Sequence, residues 1–216
     1  MELKNYIEHT LLKQDASKEE LIKLFEEAIK YDFLGVCVNP VNVKLASDYL
    51  KNHNTKIVTV VGFPLGASRS DVKAFEAKKA IEDGADEVDM VLNVGEMKNK
   101  NYDFIINDVK QVKAVCGGKN LKVILETDLL TDEEIATATK LCIEGGCDFV
   151  KTSTGFVKNG IGATVETVKI MAEAVKGTDV KIKASAGIKT KEKALALIEA
   201  GATRLGTSSG VALVTE

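Results

Sequence analysis

An α/β fold built on a parallel sheet follows from three observations on the chain. Short apolar segments alternate with helical stretches from one end to the other. Segments such as KIVTVV at Lys56–Val61 are continuous apolar runs, not the polar–apolar alternation of a sheet with one wet face. Strands buried on both faces belong to parallel sheets covered by helices. The strand–helix unit also recurs eight times in 216 residues, and eight such units close into a (β/α)₈ TIM barrel. An open doubly wound sheet is the alternative, but no GxGxxG opens the first helix and no GxxxxGK[ST] occurs. A single barrel domain over 1–216 is therefore expected.

In chain order, Tyr6–His9 is the first and weakest strand candidate. Lys18–Lys30 carries Leu21, Leu24, Phe25 and Ala28 at three- and four-residue spacing behind Ser17, the pattern of a capped amphipathic helix. Leu34–Val38 reads as a strand stopped by Asn39-Pro40, followed by a helix at Val41–Asn52. Lys56–Val61 ends in GFPLG, and a helix over Arg69–Asp83 follows with Ser68 as its cap. The remaining strands are Glu87–Leu92, Lys122–Leu125, Phe149–Lys151, Lys181–Ala184 and Arg204–Gly206. Helical patterns fill Tyr102–Val115, Asp132–Glu144, Val165–Lys176 and Lys191–Ala200.

Composition narrows the function classes. With 45% hydrophobic residues and a net charge of −3, the chain reads as an ordinary globular protein. No apolar run is long enough to span a bilayer, and MELKNY has neither the basic start nor the apolar core of a signal peptide, so a cytoplasmic location and no membrane partner are expected. Cys37, Cys116, Cys142 and Cys147 show no CxxC spacing and sit in or beside apolar runs, which points to free thiols in a reducing compartment. Only His9 and His53 are available as imidazole ligands, so no metal site is expected. Interspersed charge, little aromatic content and no tryptophan give nucleic-acid binding no support.

A repeat aligns the unusual residues. Ile81–Asp86, Ile143–Asp148 and Ile198–Thr203 share one helix-end pattern, with Gly84, Gly146 and Gly201 where a left-handed cap is needed. Five residues on from each stand Asp89, Lys151 and Gly206, and the same count from Asp32 reaches Cys37. These four lie on the second, fourth, sixth and eighth strands, and one interior layer of such a barrel comes from alternate strands. Cys37, Asp89, Lys151 and Gly206 are thus expected in a single inward layer, the topmost, at the carboxyl-terminal face where barrel enzymes place their chemistry.

Lysine at the end of an apolar strand is chemically odd, because a buried amine is disfavoured in its charged form and becomes a nucleophile. In KIKA, Lys183 approaches the top of the seventh strand beside Lys151. Neighbouring strands ~4.8 Å apart bring two inward amines within ~5–6 Å, and their repulsion lowers one pKa by roughly two units. Asp89 opposes that shift when it pairs with an amine, and the same pairing suits it to proton transfer. The loops above look built for an anion. Thr154 and Gly155 follow the sixth strand, Gly187 the seventh, and Ser208 and Ser209 lie within GTSSG after the eighth. Barrels commonly bind phosphate at these places through backbone N–H groups. A phosphorylated small carbonyl compound is the substrate class this suggests, with no cofactor needed where the protonated imine of an amine nucleophile serves as electron sink.

Together DFVKTSTGF, EVDMVLN, KIKASAGI, LGTSSG, IEHTLLK and VGFPLG resemble the deoxyribose-phosphate aldolase family over essentially the whole chain. The resemblance implies a class I aldolase that reversibly joins acetaldehyde and D-glyceraldehyde 3-phosphate into 2-deoxy-D-ribose 5-phosphate. It implies Lys151 as the Schiff-base lysine, Lys183 as its pKa-lowering partner in a proton relay, and Asp89 as the aspartate of EVDMV. Gly155, Gly187, Ser208 and Ser209 match phosphate contacts, Cys37 matches a cysteine bordering the site, and a homo-oligomer, dimer or tetramer, is expected. Two positions depart from the family pattern. Glu8 stands where the family usually has the aspartate of IDHTLL, leaving a hydrogen bond to substrate or to Lys183 as the expectation for it, and Ala186 stands where a second glycine is usual. The competing readings are another lysine-dependent sugar-phosphate aldolase and a sugar-phosphate-binding barrel without catalysis.

Overall fold

Strand after strand, the apolar runs close on themselves. The computed structural model describes residues 2–215; the ends of the expected 1–216 domain, Met1 and Glu216, lie outside the described residues. Strands β1 (Ile7–Leu11), β2 (Gly35–Val38), β3 (Lys56–Val61), β4 (Glu87–Val91), β5 (Asn120–Ile124), β6 (Phe149–Lys151), β7 (Lys181–Ser185) and β8 (Arg204–Thr207) form a closed barrel in sequence order, every neighbour parallel. Around it run α1 (Lys18–Lys30), α2 (Val43–Leu50), α3 (Ser70–Glu82), α4 (Val94–Lys98), α5 (Tyr102–Val115), α6 (Asp132–Glu144), α7 (Val165–Ala174), α8 (Lys191–Glu199) and α9 (Gly210–Thr215). This is the (β/α)₈ TIM barrel.

Differences from the sequence reading are local. Strand β1 begins after a 3₁₀ turn at Leu3–Tyr6 and continues to Leu11, because Thr10 and Leu11 still pair with Cys37 and Val38. Helix α2 starts later than expected because Pro40 opens a separate 3₁₀ turn, Pro40–Asn42. Arg69, not Ser68, precedes α3, and its guanidinium holds Asp71 of the first turn at 3.0 Å. Helices α4 and α9 are only 5 and 6 residues long, too short to show a helical period.

The two faces of the strands differ in character. Outward residues such as Ile7, Val36, Val88, Met90, Val123, Val150, Ile182 and Leu205 pack with the helices into the main apolar core, where Leu21, Leu24, Phe25 and Ala28 of α1 are buried as their spacing predicts. Inside the barrel the β2–β3 side is apolar, with Cys37, Val58 and Val60 in one small cluster. Glu8, Glu87, Asp89, Lys122, Lys151 and Lys183, all buried, line the rest.

Register fixes the levels of that interior. Asp32, Gly84, Gly146 and Gly201 all have positive φ, so the four helix-to-strand turns share one geometry. In a barrel whose stagger advances one residue per strand, the pairings bring Glu8, Val58, Lys122 and Lys183 to one level. Cys37, Asp89, Lys151 and Gly206 form the level above, the layer expected from the repeat. It is not the topmost: Thr10, Val60, Ile124 and Ser185 lie over it, because the odd-numbered strands reach further up.

One ion pair outside the barrel deserves a test of stability. Lys73 of α3 is fully buried; its Nζ donates to Asp108 of α5 at 2.6 Å and to the Val91 carbonyl at 2.9 Å. Asp108→Ala, which strands that charge, should cost about 3–5 kcal/mol in urea unfolding, whereas the paired Lys73→Met/Asp108→Leu exchange should cost far less.

Candidate functional site

Lys151 ends β6 with only 3% of its surface exposed, and its Nζ donates to Asp89 Oδ2 at 2.8 Å. Lys183 of β7 donates to the same Oδ2 at 2.7 Å. The two amines therefore lie no further apart than two hydrogen bonds laid end to end, the approach expected from adjacent strands. Lys183 also donates to Glu8 Oε2, so Glu8 takes up the second of its two expected roles. Asp89 Oδ1 accepts from a third lysine, Lys122 of β5, at 2.9 Å.

These contacts send the titrations in opposite directions. Burial pulls Lys151 below the ordinary lysine value; Asp89 opposes this, and the charge on Lys183 adds to the lowering. Burial pulls on Lys183 too, but Asp89 and Glu8 outweigh it and hold that ammonium well above the usual range. Asp89 is driven up by desolvation, yet Lys122, Lys151 and Lys183 together keep it well below the carboxylate range. The result is an ionised carboxylate, a firmly paired ammonium and one amine that holds its proton less tightly than an ordinary lysine. Desolvation is the largest cause for Lys151, and the Lys183 ammonium a smaller one.

Above Lys151 opens a cavity of about 410 Å³. Lys151 reaches it, and Thr154, Gly155, Gly187, Ser208 and Ser209 line it, with the cations Lys13 and Lys189. Ser185 and Thr10 of the top layer also face it. Asp89, Lys183, Glu8 and Cys37 are among the buried residues and do not line it. Cys37 sits at the level of Lys151 with its thiol pushed up by burial. Among the described residues no group of His, Cys, Asp and Glu is placed to hold a metal ion.

Several residues of this constellation were not singled out from sequence. Lys122 is buried and salt-bridges Glu87 at 2.6 Å and Glu8 at 3.5 Å, and Arg204 Nε lies 3.7 Å from Glu8. The available signal was register: Lys122 stands opposite Asp89 on β4. Glu126, directly beyond β5, has φ 60° and is 4% exposed. It accepts the Thr154 backbone N–H at 3.0 Å and the Thr154 hydroxyl, while that hydroxyl accepts from Phe156 N–H at 3.0 Å. Asp128 accepts from the Ile161 and Gly162 N–H groups at 2.9 and 3.1 Å. Two carboxylates thus clip the loop that follows Lys151 into shape. No periodicity announces them, since both stand outside the regular elements that bear the pattern.

A parallel barrel with a buried lysine of lowered proton affinity beneath a cavity lined by glycine and serine has the arrangement of the class of lysine-dependent aldolases. Comparison with known proteins narrows it: the profile described as DeoC/LacD family aldolase matches residues 6–214, and the chain belongs to that family. A deoxyribose-phosphate aldolase of Streptococcus sanguinis is 55% identical over 214 residues, 99% of this chain and 96% of that protein. One from Thermococcus kodakarensis is 54% identical over 217 residues, with 99% and 96% covered. Among solved structures, the tetrameric deoxyribose phosphate aldolase from Aeropyrum pernix superposes with a TM-score of 0.91 at 32% identity, covering 99% of this chain and 89% of that one.

Gly206 tests the packing of the site. A Cβ there would lie 2.9 Å from Lys183 Cε and 3.1 Å from Ser185 Cβ. Gly206→Ala should displace the Lys183 ammonium and cut turnover at least tenfold, since misplacement near 1 Å is costly in a preorganised site, while circular dichroism shows the barrel intact.

Proposed function

We propose that this chain, acting as one domain, is a deoxyribose-phosphate aldolase that cleaves 2-deoxy-D-ribose 5-phosphate to D-glyceraldehyde 3-phosphate and acetaldehyde, and runs the reverse condensation. The observation that carries the reading is Lys151, buried and facing the cavity, hydrogen-bonded to a carboxylate that already holds two other ammonium groups.

The chemistry follows from that arrangement. The neutral Lys151 amine adds to C1 of the open-chain sugar, and loss of water gives a protonated imine. Removal of the C3 hydroxyl proton breaks the C2–C3 bond; its electrons flow into the imine and leave an enamine on Lys151, while C3 departs as the aldehyde of glyceraldehyde 3-phosphate. Protonation of the enamine carbon and addition of water release acetaldehyde and regenerate the amine. The imine serves as electron sink. We assign proton transfer to Asp89 and Lys183, a reading supported by the contact of Asp89 with the Lys151 nitrogen and of Lys183 with Asp89. Glu8 holds Lys183 from the same level of the barrel.

Phosphate recognition falls to Gly155, Gly187, Ser208 and Ser209, with the Thr154 loop set by Glu126. Lys189 and Lys13 on the cavity supply positive charge, though Lys13 is also paired with Glu20 at 2.5 Å. Ala186, between Ser185 and Gly187, has φ 68°, and its Cβ would lie 3.4 Å from a Cβ added at Gly155. A left-handed alanine costs about 1–2 kcal/mol relative to a relaxed conformation. A homo-oligomer and a cytoplasmic location complete the proposal; the four cysteines are free and buried, which suits a reducing compartment. No helix among the described residues is long and apolar enough to cross a membrane.

Reduction with borohydride in the presence of deoxyribose 5-phosphate or acetaldehyde should leave a covalent adduct on Lys151, located by peptide mass spectrometry. An adduct on another lysine would overturn the assignment, and a ligand-induced melting shift with no adduct would favour a binding-only barrel. Lys183→Leu should retain the fold and lose most turnover. Ala186→Gly should lower KM for the phosphorylated substrate, and relief of the left-handed alanine should offset much of the glycine's greater entropy cost in thermal unfolding.

A further inference from the structure

Six ionisable side chains, Glu8, Glu87, Asp89, Lys122, Lys151 and Lys183, are buried along the barrel axis. Contiguous ion pairs join the three carboxylates to the three lysines and, toward the lower rim, to Arg204 and Lys56. The network meets water at the lower end, where Lys56 is half-exposed and Arg204 is 18% exposed, and reaches the cavity at the upper end through Lys151. One of its three lysines is held by fewer carboxylates than the others.

Contacts single out which amine that is. Lys122 has three carboxylates within 3.5 Å and Lys183 has two. Arginine does not give up its proton in proteins. Lys151 has Asp89 alone, and shares it with both other lysines. Moving a charge out of this group changes the field at Lys151 without touching the cavity, since neither Lys122 nor Glu87 lines it.

We infer that the Glu87–Lys122 pair, in the lower half of the barrel, decides how readily Lys151 gives up its proton and so acts as a positioning pair for a reaction it never touches. The inference rests on Lys151 being the imine-forming residue. Other ionisable groups face Lys151 from each side: Cys37 from β2, Asp89 from β4, Glu126 from the loop after β5 and Lys183 from β7. Cys37 stays a neutral thiol because burial raises it. Glu126 is bound to Thr154 rather than to a cation, and its influence is the same in every variant below.

The pair makes predictions of opposite sign. Lys122→Met removes a positive charge near Lys151, so Lys151 keeps its proton to higher pH. Glu87→Gln removes a negative charge, so it loses the proton at lower pH. The double variant removes one charge of each sign. The readout is trapping of acetaldehyde on Lys151 by cyanoborohydride, followed by intact and peptide mass as a function of pH, since acetaldehyde has no titrating group of its own. At an effective dielectric near 20, charges ~7 Å apart shift a pKa by roughly one to two units. The midpoint should therefore rise by about one pH unit or more in Lys122→Met, fall in Glu87→Gln, and return close to wild type in the double variant.

Midpoints that stay put in both single variants, or that move the same way, overturn the inference, because a merely structural pair alters melting temperature without this antisymmetry. If Lys122→Met does not fold, Arg204→Met, which removes a partly exposed positive charge, takes its place with the same expected sign. Absence of any Lys151 adduct in the wild type would instead overturn the aldolase reading, so the two failures are distinct.

Discussion

One carboxylate holds the interior of this barrel together. Asp89 accepts from Lys122 on one oxygen and from Lys151 and Lys183 on the other, so three strands, β5, β6 and β7, direct their inward lysines at a single residue of β4. Three ammonium groups at such spacing would be untenable in a low-dielectric interior without it; stranding even one buried charge costs about 3–5 kcal/mol. A carboxylate shared three ways cannot fully satisfy each partner. The least supported of the three, Lys151, is the one that opens onto the cavity.

Much of this was legible because the strand period exposes it. Lys181-Ile182-Lys183 and Glu87-Val88-Asp89 alternate charged and apolar residues, and a charged residue every second position in an otherwise buried strand means a charged interior. The shared helix-end pattern fixed the level of Lys151, Asp89 and Gly206 because all the turns use the same left-handed residue. Height was misjudged by one layer, since the ends of β1, β3, β5 and β7 depend on pairings with neighbours far away in sequence. Lys122 was missed for a related reason: its strand begins at Asn120, two residues earlier than the apolar run suggests, so it looked like a strand-opening cation at the edge. Glu126 and Asp128 left no trace in the pattern because they act through backbone N–H groups of another loop, which no periodicity encodes.

The loop clip and the charged floor divide the work. Glu126 and Asp128 hold the backbone of the segment following Lys151, which carries Thr154 and Gly155 into the cavity wall. The floor supplies protons and sets the state of the amine, whereas the wall supplies shape and N–H groups. On the β2–β3 side the interior is apolar, with Val58, Val60 and Cys37 against Leu12 and Phe63. The buried charged groups thus lie away from that side, on β1 and β4 to β7, where they pair with each other.

Each strand of the barrel carries two nearly separate bodies of information. Outward residues pack the helices and hold the fold, while inward residues at the same strand carry the chemistry. A lineage can therefore accumulate changes on one face while the other is conserved. For anyone redirecting this scaffold to a new aldehyde, the positions that can change without disturbing the buried charges are on the cavity wall above Ser185 and Thr10, apart from the residues assigned to phosphate. Beneath it, substitutions are coupled in pairs, because inheritance of one charge without its partner leaves a buried ion that no new substrate contact compensates.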